Sequence, residues 1–147
     1  METTVTKDTV ELLRACSAGA KMGIESIDDV MRYVRDHSLR DLLDGCRRTH
    51  AKLYADNEKL LAELGENDKE PNPLAKGMSQ IKVGVKLAID SSDATIADLL
   101  TDGCNMGIKS IWRYRNQYPN AAPLALRLSG DLVDSEEQLV AGLRKYL

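Results

Sequence analysis

The 147 residues are 43% hydrophobic and 29% charged, which suits one globular domain with a real core and excludes disorder as the main state. A net charge of −3, with Arg47-Arg48 as the longest basic cluster, argues against a nucleic-acid partner. No stretch of about 20 successive apolar residues exists, which argues against a membrane span.

Val10, Leu13, Ser17, Ala20, Ile24, Ile27, Met31 and Val34 recur at alternating steps of three and four. They predict an apolar seam along a first helix that ends near His37. Thr6 or Asp8 can cap its start. Ser38-Leu39-Arg40-Asp41 reads as an acidic variant of the capping box opening a second helix. The seam of that helix is Leu43, Cys46, His50, Leu53, Asn57, Leu60 and Leu64. With almost no residues between them, the two helices, each about 40 Å long, form a hairpin.

Residues 65–73 are polar and hold Pro71 and Pro73, so they read as a linker, with Asn72 as cap and Pro73 in the first turn that follows. Leu74, Met78, Ile81, Val85 and Ala88 mark one side of a short helix. A break over 90–93, with serine caps, precedes a helix over 93–117. A turn over 118–123 then leads into a last helix with the seam Ala125, Leu128, Leu132, Ser135, Leu139, Gly142 and Tyr146. No strand pattern of useful length appears. Tyr and Trp are few and Phe is absent, so the core is aliphatic. Cys16, Cys46 and Cys104 are far apart and odd in number, the mark of free thiols in a reducing compartment. The first residues carry no basic and apolar leader, so a cytoplasmic location is expected.

Met22-Gly23-Ile24-Glu25-Ser26-Ile27 recurs 84 residues on as Met106-Gly107-Ile108-Lys109-Ser110-Ile111. The same offset carries the start of the second helix onto the start of the last. This predicts an antiparallel four-helix bundle of two pseudo-twofold hairpins, all α, in one domain over 1–147. Hairpin one is 6–65, the crossover 66–73 and hairpin two 74–147. The pairs Gly19/Gly23 and Gly103/Gly107 allow close helix approach.

On these residues the chain resembles the ferritin-like superfamily. The run Gly23-Ile24-Glu25-Ser26-Ile27, then Leu39-Arg40-Asp41-Leu42-Leu43, then residues 77–88 and 103–109, is similar to a bacterial ferritin-like family of unknown function, of a stress-associated type. The resemblance implies a bundle that pairs with itself through helix faces. It also implies a dinuclear metal site built from one Glu on the first helix of each hairpin and Glu-x-x-His on the second. Glu25 stands at the first of those positions, but its repeat partner is Lys109 and no Glu-x-x-His occurs. Glu25 and Lys109 either face each other as an interior ion pair or point to solvent beside the seam.

His50 lies one turn after Cys46, so both share a helix face. The pair reads either as two metal ligands or as a core histidine satisfied by hydrogen bonds. Asp131, Asp134 and Glu137, joined by Glu136, form a solvated acidic face or line a carboxylate patch near Glu25 and His50. Trp112, Tyr114 and Tyr118, interleaved with Arg113 and Arg115, suit a dimer or partner contact, or bundle-end packing. No hydrolase signature or phosphate loop is present.

The expectation is therefore a non-enzymatic, self-associating ferritin-like protein without a cofactor, structural, binding or stress-associated in role. The alternative is a divergent oxidoreductase or storage protein holding iron, manganese or zinc with Glu25, Cys46, His50 and Asp134.

Overall fold

The computed structural model describes residues 4–66 and 90–147; the helix predicted over 74–88, and the crossover beyond residue 66, lie outside them. Among the described residues there are four helices and no strand: α1 (Thr4–Met31), α2 (His37–Glu63), α3 (Asp93–Gln117) and α4 (Pro123–Leu143). A 3-10 turn, Arg144–Tyr146, continues α4. No described helix is long and apolar enough to cross a membrane.

Polar contacts at the two ends set the helix directions. The Asp93 carboxylate, in the first turn of α3, accepts from the N–H groups of Arg35 (2.9 Å) and Asp36 (3.0 Å) in the α1–α2 joint. At the opposite end, the Asp8 carboxylate accepts from Asn120 N–H (3.1 Å) and the Thr9 hydroxyl from Ala122 N–H (2.7 Å). So α1 and α4 run one way, α2 and α3 the other. Every adjacent pair (α1·α2, α1·α3, α3·α4, α2·α4) is antiparallel, and α1 also touches α4 across the middle. The described part of α2 ends at one end of the bundle and α3 begins at the other.

Two predicted boundaries shift. α1 ends at Met31, and Val34 is buried from the joint itself, not from a helix. The cap of α2 is Asp36, not Ser38: its carboxylate stands one residue before the helix and accepts from Leu39 N–H at 2.9 Å. At the far end of α2, Gly65 takes φ 75°, and Glu66 N–H reaches Leu61 O (2.8 Å) while Gly65 N–H reaches Ala62 O (3.0 Å). This double closure needs a left-handed residue, which glycine supplies without a Cβ clash. Leu61 is buried there and Leu64 is 44% exposed, so the seam ends one step earlier than its spacing predicts.

The apolar core divides into two. One cluster gathers Ile27, Val30, Leu39, Leu43, Ile96, Leu100, Leu139 and Leu143 toward the α1–α2 joint. The other gathers Leu12, Leu13, Ala20, Leu53, Ile111, Leu128 and Leu132 toward the opposite end. On every helix the residues between the clusters fall at one level: about Gly23, His50, Gly107 and Ser135-Glu136.

Asp93 ties one end together with two charge-assisted bonds to the joint backbone. Asp93→Ala is expected to lower unfolding stability by about 1–2 kcal/mol, seen as a lower urea midpoint at unchanged slope.

Candidate functional site: a buried His–Glu layer

The level between the two apolar clusters is where the chain concentrates its chemistry. His50 comes from α2 and is 1% exposed. Its Nε2 lies 2.9 Å from Oε1 of Glu136 on α4, and its Nδ1 lies 3.0 Å from the Cys46 carbonyl one turn earlier. The Cys46 thiol (3.4 Å) and the Ser135 hydroxyl (3.3 Å) also flank Nδ1. Cys104 of α3 is buried close enough to Glu136 for the carboxylate to act on its thiol. Three helices thus contribute one imidazole, one carboxylate, one hydroxyl and two thiols to a single layer.

Burial by itself would strip the proton from His50. Hydrogen bonds to Cys46 and Glu136, and the attraction of both groups, reverse that and push its pKa up to about 10. At neutral pH the ring is an imidazolium donating from both nitrogens, to the Cys46 carbonyl and to Glu136. Burial, with the charge and hydrogen bond of Glu136, pushes the Cys104 thiol up. Cys16, deep in the other half of the core, is pushed up to about 12 by burial, against the pull of Arg115. All three cysteines are free and buried. Neither Cys16 nor Cys104 is an activated nucleophile, because the thiolate is what reacts.

The internal repeat explains how α1 and α3 make room. A Cβ added to Gly23 would lie 2.4 Å from His50 Cδ2 and 2.8 Å from Nε2, so the imidazole rests on bare α1 backbone. Gly107, at the matching place in the second copy, faces Glu136 more loosely, with an added Cβ at 3.7 Å from Oε1. Each glycine of the repeat therefore faces one partner of the ion pair. Gly19 also makes an interhelix approach, to Leu132, whereas an added Cβ on Gly103 would meet nothing.

Of the residues singled out from sequence, Cys46, His50, Ser135 and Glu136 lie in this layer, and Glu25, Lys109 and Asp134 do not. Glu25 is half-buried, and Lys109 and Asp134 are exposed. Each stands two residues, about 200° round its helix, from the inward position actually used: Gly23, Gly107 and Glu136. Of the two alternatives for Glu25 and Lys109, the exposure of Lys109 favours solvent beside the seam; the buried pair is His50–Glu136, and the carboxylate beside His50 is Glu136 and not Asp134. Asp131 and Glu137 are exposed, as an acidic outer face requires. Glu136 was discoverable: it falls between Leu132 and Leu139 at steps of four and three, on the seam itself. Among the described residues, no three His, Cys, Asp or Glu side chains are arranged to hold a metal ion.

Trp112 is 48% exposed, with the Arg115 guanidinium 4.9 Å from its ring centre. Arg115 is anchored in turn to the Leu126 carbonyl (2.8 Å) and the Ser129 hydroxyl (2.5 Å). Tyr114 and Tyr118 are half-buried and stack in parallel, centroids 6.3 Å apart, and Tyr114 packs onto the core cluster. Searches against protein families, curated proteins and solved structures find no match to this chain.

Two tests follow from the layer. Gly23→Ala is expected to destabilise the fold by about 1–3 kcal/mol, because a ring pinned by Glu136 cannot yield to the new methyl. Gly107→Ala is expected to be neutral or stabilising, since ordinary contact is available and alanine favours a helix by up to about 1 kcal/mol. Adding His50→Ala to Gly23→Ala should recover part of the loss, and urea midpoints of the four chains would show it.

The second test is pH. The folded-state pKa of His50 is raised, so its stabilisation is complete below about pH 6.5 and is lost as pH climbs toward about 10. Between about pH 6.5 and 8, below the ordinary cysteine range, stability should fall by up to about 1.4 kcal/mol per pH unit. The same titration of His50→Gln should be flat over that window.

Proposed function

We propose that this protein is a non-catalytic, self-associating helical scaffold of ferritin-like order, in which an internal ion pair stands where that fold keeps its metals. One observation carries the reading. The imidazole, carboxylate and thiols that converge mid-bundle are buried, His50 to 1% exposure, and directed at one another. A catalytic centre needs a group left open to substrate, whereas this one is closed on itself.

The ferritin-like part of the proposal draws on helix direction. Two antiparallel hairpins with α2 and α3 parallel, and a connection required between opposite ends of the bundle, match the order of that fold. The dinuclear centre it implies does not fit these residues. Carboxylates from all four helices would have to bridge the ions, but α1 and α3 present Gly23 and Gly107 to the layer. Glu25 and Asp134 lie round the helix from it.

A second reading has one observation in its favour. His50 turns Nδ1 to a backbone carbonyl, as metal-bound histidines do, and its Nε2 meets Glu136, which also holds Cys104. Small rotamer changes would let those three side chains hold a single zinc-like ion, with one coordination position open.

Metal content separates the two. The untagged chain, grown with iron, manganese and zinc and purified without chelator, is expected to carry only background metal by inductively coupled plasma mass spectrometry. A stoichiometric ion lost in His50→Ala and Cys104→Ala would establish the second reading. A buried pair also defines register more than it adds stability, because desolvation offsets most of the Coulomb gain. His50→Leu combined with Glu136→Leu is accordingly expected to keep the helical circular-dichroism spectrum and the association state of the parent. Loss of association in that variant would place function inside the core.

A further inference from the structure

Residues 103–130 hold four basic side chains, Lys109, Arg113, Arg115 and Arg127, and no Asp or Glu, inside a chain of net charge −3. With those four set aside, the remaining charge is −7. The fold gathers this acid-free stretch in the second half of α3, the turn after it and the first turns of α4. Lys109, Trp112 and Arg113 stand at i, i+3 and i+4, neighbours on the helix surface, and all three are exposed. Arg127 is exposed on α4. Among the described residues, none of Lys109, Arg113 and Arg127 is in an ion pair, whereas Arg47, Arg48 and Lys52 of α2 each hold an aspartate.

Trp112 is the only tryptophan and is 48% exposed. The Arg115 guanidinium supports its ring from 4.9 Å and is itself held by Leu126 and Ser129. An aromatic side chain fixed before contact loses little conformational freedom on binding. Trp and Arg are also the residues that most often anchor interfaces.

We infer that this basic, aromatic face of α3 and the start of α4 is a docking surface for an acidic segment of another protein that also carries apolar side chains. The cations without internal partners receive carboxylates, and Trp112 receives an apolar side chain. A short segment suits the surface better than an extended polyanion. One turn after Arg127, α4 turns Asp131 outward, followed by Asp134 and Glu137. A nucleic acid or an anionic bilayer is wider than the roughly 10 Å over which charges are felt at 0.1 M salt, and would meet those acids as well. The surface does not rest on the self-association proposed above.

Trp112 is its own reporter. The full-length chain at low salt is titrated with a short synthetic peptide of alternating Glu and Leu while Trp112 emission is followed. Saturable binding is expected, with emission shifted to the blue and protected from acrylamide, and it should weaken in about 1 M NaCl. A peptide with Lys in place of Glu should not bind, and one with Ser in place of Leu should bind less tightly. Lys109→Glu combined with Arg113→Glu should raise the dissociation constant by about tenfold or more. Lys21→Glu combined with Lys59→Glu, an equal change of charge at exposed sites on α1 and α2, should leave it within about threefold. Unchanged helical circular dichroism shows that both variants are folded. A Glu-Leu peptide that fails to bind, or binds both variants alike, would overturn the surface. Emission that shifts with the concentration of the chain alone would overturn it in favour of a second copy. Tighter binding of oligothymidylate or of phosphatidylserine vesicles than of the peptide would overturn it in favour of that polyanion.

Discussion

The protonated His50 held against Glu136 is the constraint on which the bundle turns. A charge cannot be left alone in a helical core, so each of the two must find the other and have its remaining polar atoms satisfied. That demand fixes α2 against α4 at one level and brings Cys46 and Ser135 around Nδ1, with the Cys104 thiol of α3 under the influence of the carboxylate. A slip of one helical turn between α2 and α4 would bury both charges against leucines. Purely apolar seams such as Leu39–Leu43 and Leu128–Leu132 offer no comparable penalty for sliding, because one aliphatic contact replaces another. The ion pair therefore supplies register, and the two aliphatic clusters on either side supply the driving force.

Helices α1 and α3 serve that pair by what they lack. The repeated Met-Gly-Ile segment puts a glycine opposite each charged partner, but the two copies are not equally strained. Gly23 is in van der Waals contact with a flat ring that has no room to move, while Gly107 leaves the carboxylate some slack. The repeated segment thus borders an asymmetric core: imidazole toward α1, carboxylate toward α3. The thiols fit the same pattern. Buried and held in the neutral form, Cys104 fills space and hydrogen-bonds, and offers no nucleophile.

With the thiols and the His50–Glu136 pair enclosed, the described helices turn their exteriors outward. Those exteriors differ in kind. α2 carries two ion pairs along its own surface, Arg48–Asp44 and Lys52–Asp56, and α4 presents an acidic face at Asp131, Asp134 and Glu137. On α3 the exposed Trp112 ring lies against the Arg115 guanidinium.

Helix periodicity and the serine before α3 made the helical class of the described residues and the limits of α3 legible in the sequence, because each depends on local spacing or on a local cap. The repeat, too, was visible as a repeat. The site was only half legible. Cys46 and His50 stand on one apolar seam, so their burial could be read from α2 alone. Their partner was less sharply marked: among Asp131, Asp134, Glu136 and Glu137, all within two turns of α4, Glu136 alone keeps seam steps from Leu132 to Leu139, but Ser135 keeps them too, and the rotation of that helix decides which carboxylate enters the core. The same holds for Glu25 and Lys109, each about 200° from the inward glycine. Local chemistry determined that the chain forms amphipathic helices with polar residues on their seams. The phase of each helix about its own axis, and so the identity of the buried pair, was decided only by packing all four together, because a charge is tolerated inside only where another helix brings its counter-charge.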